Sequence, residues 1–202
     1  EIINTIFKIS HKANTQKGKK YVMKYGESKI APITVNRRLY AVTLSRNEPF
    51  KRVQNRPNTK RIYPDKIKTI SLYDAKNIPK IILLIFPCHP LLDDGGQTGR
   101  DFPGLISDEI NNHFNKTTSL FFLQGFCGDI SPRFIYKPKN FKDFILEKII
   151  GPKFLKPTNE RKQYFISELK KSILLSLENS NNISVNNFTN FTIDFNTYYK
   201  DN

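Results

Sequence analysis

Chemistry in this chain can be placed first at His89, which stands in Phe86-Pro87-Cys88-His89-Pro90 directly after an apolar run. Imidazole ligates metals and exchanges protons near neutral pH, and two flanking prolines restrain the backbone that presents it. A metal ligand or an acid–base group fits that setting; a structural histidine is the plainer alternative. A second stretch, Gly125-Phe126-Cys127-Gly128-Asp129-Ile130-Ser131-Pro132-Arg133, follows another apolar run. Its two glycines permit positive φ and close backbone approach. Asp129 can cap exposed amides or orient a neighbour, and Ser131 offers a hydroxyl as nucleophile or substrate donor. The alternative is a tight turn that ends a strand. Asp101 opens Asp101-Phe102-Pro103-Gly104, where it can cap a helix, face the same crevice, or both. Asn36-Arg37-Arg38 offers paired guanidinium groups that suit a carboxylate or phosphate, or else a solvated basic turn. His11 and His113 fall on helix-like surfaces and receive no function. The chain has no HExxH, CxxC, P-loop, GxGxxG or Gly-x-Ser-x-Gly pattern.

The elements that must position these groups follow from periodicity. Lys80 to Phe86 is nearly all apolar and reads as a strand buried on both faces. The stretch after Asp101 carries a stripe of Leu105, Ile106, Ile110 and Phe114 and reads as a helix; Ser119 to Leu123 reads as another buried strand. Together they make a β-α-β unit with parallel strands and a right-handed crossover. That unit brings the loop after His89 beside the Gly125–Arg133 loop, at the carboxyl ends of the strands where α/β sheets bind ligands. Elsewhere, Ile2, Ile3, Ile6 and Ile9 predict the end of an amphipathic helix, and Gln16 to Lys20 a basic loop. Short extended segments are expected around a turn at Tyr25-Gly26, then strands at Leu39–Leu44 and Ile67–Tyr73. Ser45 to Pro64, with three prolines, reads as a long loop. Helices are expected over Phe141–Ile150 and Asn159–Glu178, the latter with Phe165, Leu169, Ile173 and Leu177 on one face. Ile183 to Phe195 reads as an edge strand. The class is α/β with a mixed sheet and flanking helices.

With 202 residues the chain has the length of one domain. Its start at Glu1 and its polar end at Asn202 give the expectation of an incomplete single domain. The 33 Lys and Arg against 18 Asp and Glu leave a net charge of +15. The lysines are dispersed and the aromatics do not interleave with a basic cluster, which speaks against a nucleic-acid-binding module. A peripheral contact with an anionic membrane remains open. Two cysteines, Cys88 and Cys127, make no disulfide framework, so reduced thiols and a lean to the cytoplasm are expected.

Five segments, in order, resemble the catalytic domain of the neutral/alkaline (non-lysosomal) ceramidase family. Val35-Asn36-Arg37-Arg38 is similar to its Asn-Arg segment, and Asn55-Arg56-Pro57 with Asp65 to the stretch after it. Phe86-Pro87-Cys88-His89-Pro90 resembles the family's apolar strand ending in His-Pro. Asp101-Phe102-Pro103-Gly104 resembles its helix start, and Gln124 to Arg133 its Gly-Asp-x-Ser-Pro loop. The match runs from Thr34 to Arg133, with residues 134–202 expected as helices and an edge strand of the same catalytic domain. The resemblance implies a zinc-dependent hydrolase of an amide bond in ceramide or a related N-acyl lipid. It implies His89 as a Zn2+ ligand, Ser131 and Asp101 as catalytic residues, and Asn36, Arg37, Gly128 and Asp129 on the substrate. Ser131 would position substrate or hydrogen-bond the transition state rather than form a covalent bond. The family's Thr-His-Thr-His-like segment has no counterpart here, and no Glu or Tyr after Arg133 can be nominated, so the remaining zinc ligands are expected outside this chain. The alternative is a catalytically inactive ceramidase-like fragment or binding protein without a complete metal site.

Overall fold

A computed structural model describes residues 2–15, 18–42, 51–92 and 99–184. In chain order the elements are α1 (Ile2–Thr15), β1 (Val22–Lys29), β2 (Thr34–Val42), β3 (Lys51–Asn58), β4 (Lys66–Tyr73) and β5 (Pro79–Phe86). They continue with α2 (Asp101–His113), β6 (Ser119–Gln124), β7 (Ile130–Pro132), α3 (Phe141–Ile150), α4 (Asn159–Glu178) and β8 (Asn181–Asn182). Five strands form one mixed sheet in the order β6-β5-β4-β1-β8, and three form an antiparallel sheet in the order β3-β2-β7. The result is a single α/β domain.

The expected β-α-β unit is present. β5 and β6 pair in parallel from Ile81↔Ser119 to Phe86↔Gln124, with α2 crossing between them. That register ends both strands at the same level, so the Pro87–His89 segment and the Gly125–Asp129 turn emerge side by side. α4 packs across β1 and β4, and α2 against β6 and α4. Ile67, Ile82, Leu84 and Phe86 of the sheet meet Phe102, Ile106 and Ile110 of α2 and Phe165, Leu169 and Ile173 of α4. Phe165 lies 5.3 Å from Phe102 and 6.4 Å from both Phe86 and Phe134, centroid to centroid. No helix among the described residues is long and apolar enough to cross a membrane.

Several expectations change. Tyr25-Gly26 is not a turn: β1 runs straight through it. A Cβ on Gly26 would collide with the Ser176 carbonyl oxygen of α4. The glycine is there to let helix and strand approach. The stretch read as a loop contains β3, whose polarity fits an edge strand paired on one side only. Its Pro57 sits where the β2–β3 register shifts, between the pairs Asn36↔Asn58 and Arg38↔Asn55, a bulge that absorbs the missing N–H. β5 is fully buried on alternate residues only, and β6 is an edge strand with Phe121 and Leu123 exposed. Among the described residues helices cover one face of this sheet, and an apolar run does not distinguish one covered face from two. An edge strand occurs, but at Asn181–Asn182 (β8), before the expected start: Ile183 and Ser184 are not part of it, and residues 185–195 of the expected strand fall outside the described residues.

Candidate functional site

The two sheets meet at His89. Its backbone N–H donates to the Ile130 carbonyl at 3.1 Å, so the end of β5 is pinned to the start of β7. β7 in turn pairs with β2, placing Val35 opposite Ser131 and Asn36 opposite Ile130. This short ladder brings Asn36, Arg37, His89, Gly128, Asp129 and Ser131 to one place, although they come from three separate parts of the chain.

Arg37 is the hub. Its backbone N–H donates to the Asp129 carbonyl at 2.7 Å, and its Nη2 donates to the Gly128 carbonyl at 3.2 Å. The same Nη2 lies 3.0 Å from His89 Nε2, which must therefore act as the acceptor because a guanidinium only donates. With Nε2 as acceptor, the neutral ring carries its proton on Nδ1. That nitrogen lies 3.4 Å from Gln124 Nε2 and 3.9 Å from Cys127 Sγ. A ring N–H facing Gln124 calls for the carboxamide oxygen there, an amide flip that the hydrogen-bond pattern decides. Asn36 is buried; its Nδ2 donates to the Asp129 carboxylate and its Oδ1 accepts from Arg38 N at 2.8 Å, which fixes the Gly128-Asp129 turn against β2.

Ser131 pairs with Val35 on the strand that carries Arg37. It is only 4% exposed, and its Oγ has no hydrogen-bond partner among the described residues; Arg37 Nε is likewise unpartnered. Both residues line a pocket of about 200 Å³ whose remaining walls include Asn55, Leu91, Phe134, Phe154 and Leu155. The segment carrying Phe154 is held in place by backbone bonds, Leu155 N–H to Phe134 O at 2.7 Å and Tyr136 N–H to Lys153 O at 2.9 Å. The pocket wall thus carries both donors and apolar surface.

Asp101 takes a different place from the one expected. Arg100 occupies the N-cap position of α2 without a side-chain bond; Asp101 is the first helical residue, at φ 46°. Its carboxylate accepts the N–H groups of Leu92 at 3.0 Å and Phe102 at 2.6 Å. That grip fixes the segment after His89, so the geometry gives Asp101 a positioning role. The adjacent Cys88 is fully buried, and burial pushes its thiol well above the ordinary range, with Cys127 and Asp101 adding to the shift. The sequence reading missed Gln124, Cys127 and the apolar pocket wall. Gln124 ends β6 as Phe86 ends β5, so the strand-end argument that selected His89 applies to it equally.

Among the described residues no three His, Cys, Asp or Glu side chains are grouped to hold an ion. A catalytic zinc takes about three protein ligands, and His89 Nε2 is met by the Arg37 guanidinium.

No protein-family model matches the chain, and no curated protein matches it. Solved structures of similar fold include two ceramidases. Neutral ceramidase from Pseudomonas aeruginosa superposes over 80% of this chain at 15% identity with a TM-score of 0.50. A ceramidase complexed with C2 covers 80% at 14% identity with a TM-score of 0.49. The chain spans about a quarter of the length of these proteins, 24% and 23% respectively. At such identities the likeness is one of fold: the chain has a ceramidase-like fold.

Proposed function

We propose that this chain carries the carbonyl-binding side of a ceramidase-like hydrolase that cleaves the amide bond of ceramide or a related N-acyl lipid. The observation that supports it most is the buried, unpartnered Ser131 hydroxyl sharing a pocket with Arg37. An amide carbonyl gains negative charge as a nucleophile adds, and fixed donors aimed at that oxygen lower the barrier. Arg37 and Ser131 supply such donors, and Phe134, Phe154 and Leu155 provide an apolar wall for the start of an acyl chain. Asn36 and Asp129 keep the turn in register, and the Gly128 carbonyl holds the guanidinium in place. In the ceramidase-like reading His89 is a zinc ligand, and a zinc-dependent reaction requires further ligands beyond the described residues.

A second reading is favoured by one contact. Arg37 Nη2 on His89 Nε2 puts a cation on one of the two ring nitrogens a metal could use, as in a relative that keeps the fold and binds an acyl compound without turnover. Zinc per chain and hydrolysis of N-acyl substrates, each compared between wild type and His89→Ala, separate the two. Near-stoichiometric zinc lost in His89→Ala, together with turnover, supports the hydrolase. Absence of zinc and turnover, with carboxylate binding that Arg37→Ala removes, supports the binding protein.

A further inference from the structure

α3 presents the wrong residues to solvent for a surface helix. Phe141, Phe144, Ile145 and Ile149 are 77%, 49%, 41% and 54% exposed, and they share the outward face with Lys142 and Lys148. Their spacing of three and four places them on one side of the helix. The acidic residues of α3 turn the other way. Asp143 is half-buried and accepts the Tyr136 hydroxyl at 2.6 Å, and Glu147 is half-buried against the body. The outward face is therefore apolar and basic with no acidic group. Lys148 Nζ rests 5.3 Å from the Phe144 ring. A groove lined by Phe144, Glu147, Lys148 and Ile149 separates this face from Tyr40 and Lys60. Residues 133–156 hold seven Lys and Arg against two Asp and Glu. A capping bond, Asp143 N–H to Asn140 Oδ1 at 2.8 Å, closes the start of this helix, and the bonds of Arg56 Nη1 to the Gly151 and Pro152 carbonyls at 3.1 and 3.3 Å anchor its end to β3.

We propose that the outward face of α3 docks on an anionic lipid surface. Large apolar side chains flanked by lysines suit the boundary between headgroups and acyl chains, where the rings enter and the ammonium groups remain among the phosphates. A protein partner would bury these lysines, a residue depleted from the cores of protein interfaces. The inference goes beyond the proposed hydrolase reading, since lipid docking requires no turnover. The segment after α3 carries Phe154 and Leu155, which line the pocket beside Ser131, so a docked α3 would hold that pocket close to the lipid.

The test is sedimentation of the whole chain with phosphatidylcholine vesicles, with and without phosphatidylserine. Binding is expected only to the phosphatidylserine vesicles and should weaken as salt is raised. Replacing Phe144 and Ile149 together by Ser should lower it by about tenfold or more. Lys142→Ala and Lys148→Ala should each lower it by about fivefold. All four side chains project outward, so the melting temperature of each variant should match wild type, which excludes misfolding as the cause. α1 also exposes Ile6 and Phe7, and replacing those two by Ser should leave binding in place. The proposal is overturned by a wild type that ignores phosphatidylserine, by equal binding to both vesicles, or by loss in the α1 variant alone. It is also overturned if the α3 variants bind as wild type does. A shift from dimer to monomer in the α3 variants without vesicle binding would assign the face to a second copy of the chain instead.

Discussion

Buried hydroxyls under α4 and buried hydroxyls along β2 and β7 end in opposite ways. Under α4 they are paired: Thr69 Oγ1 meets Ser176 Oγ at 2.6 Å, and Ser28 Oγ donates to the Ser172 carbonyl at 2.7 Å. Along the three-stranded sheet, Thr34 Oγ1, Ser131 Oγ and Arg37 Nε find no partner among the described residues. A buried donor or acceptor left alone costs about 1–3 kcal/mol, so a fold does not accumulate such groups without cause. The helix-covered sheet carries the stability, with Phe86, Phe102 and Phe165 fully buried. That surplus lets the smaller sheet hold polar groups that have no partner among the described residues.

The comparison breaks most visibly in the core. Phe165→Ala removes a ring that touches three others and should destabilise the domain by about 3–5 kcal/mol in denaturant unfolding. A loss under about 1 kcal/mol would mean that this face is not the source of stability. Gly26→Ala comes next. Its Cβ would strike the Ser176 carbonyl, so β1 or α4 must shift, and a loss of about 1–3 kcal/mol is expected. Gly26 is not among the residues that line the pocket, whereas Phe165 backs its wall through Phe134. At temperatures where Gly26→Ala remains folded, carboxylate affinity should stay at the wild-type value, as isothermal titration would show.

What the sequence revealed of these two regions divides along the same line. The β-α-β unit and α4 were legible because long periodic runs with identifiable ends are local information: Phe165, Leu169 and Ile173 recur at helical spacing and are buried together. His89 and the Gly128–Ser131 loop could be placed side by side because a parallel crossover dictates it. β3 was not legible, since an edge strand rich in Arg, Asn and Gln lacks the alternation that marks a half-buried one. Gly26 was misread because a glycine looks the same whether it serves a turn or a close approach. Asp101 was read as a cap from its type and its proline neighbour, but its grip on Leu92 N–H spans nine residues of chain and depends on tertiary packing. The hold of Arg37 on His89 crosses between sheets over 52 residues, and no local pattern encodes it.

The smallest expected effects sharpen the comparison most, because they set two unpartnered hydroxyls against each other. Thr34 and Ser131 lie on adjacent strands, Thr34 paired with Pro132 and Ser131 with Val35, and both are buried with an idle Oγ. Only Ser131 lines the pocket. Thr34→Val keeps the shape and removes a desolvated hydroxyl, so unfolding should become harder by about 1 kcal/mol. Ser131→Ala should leave stability level or raise it by a similar amount, because no bond is lost. Binding of a short-chain fatty acid should part the two: unchanged in Thr34→Val, and weaker by about tenfold in Ser131→Ala, the worth of one hydrogen bond to a charged group. Equal weakening in both would mean that the strands transmit a general distortion. A destabilised Ser131→Ala with unchanged binding would make Ser131 a structural hydroxyl and remove the strongest support for the pocket as a carbonyl site.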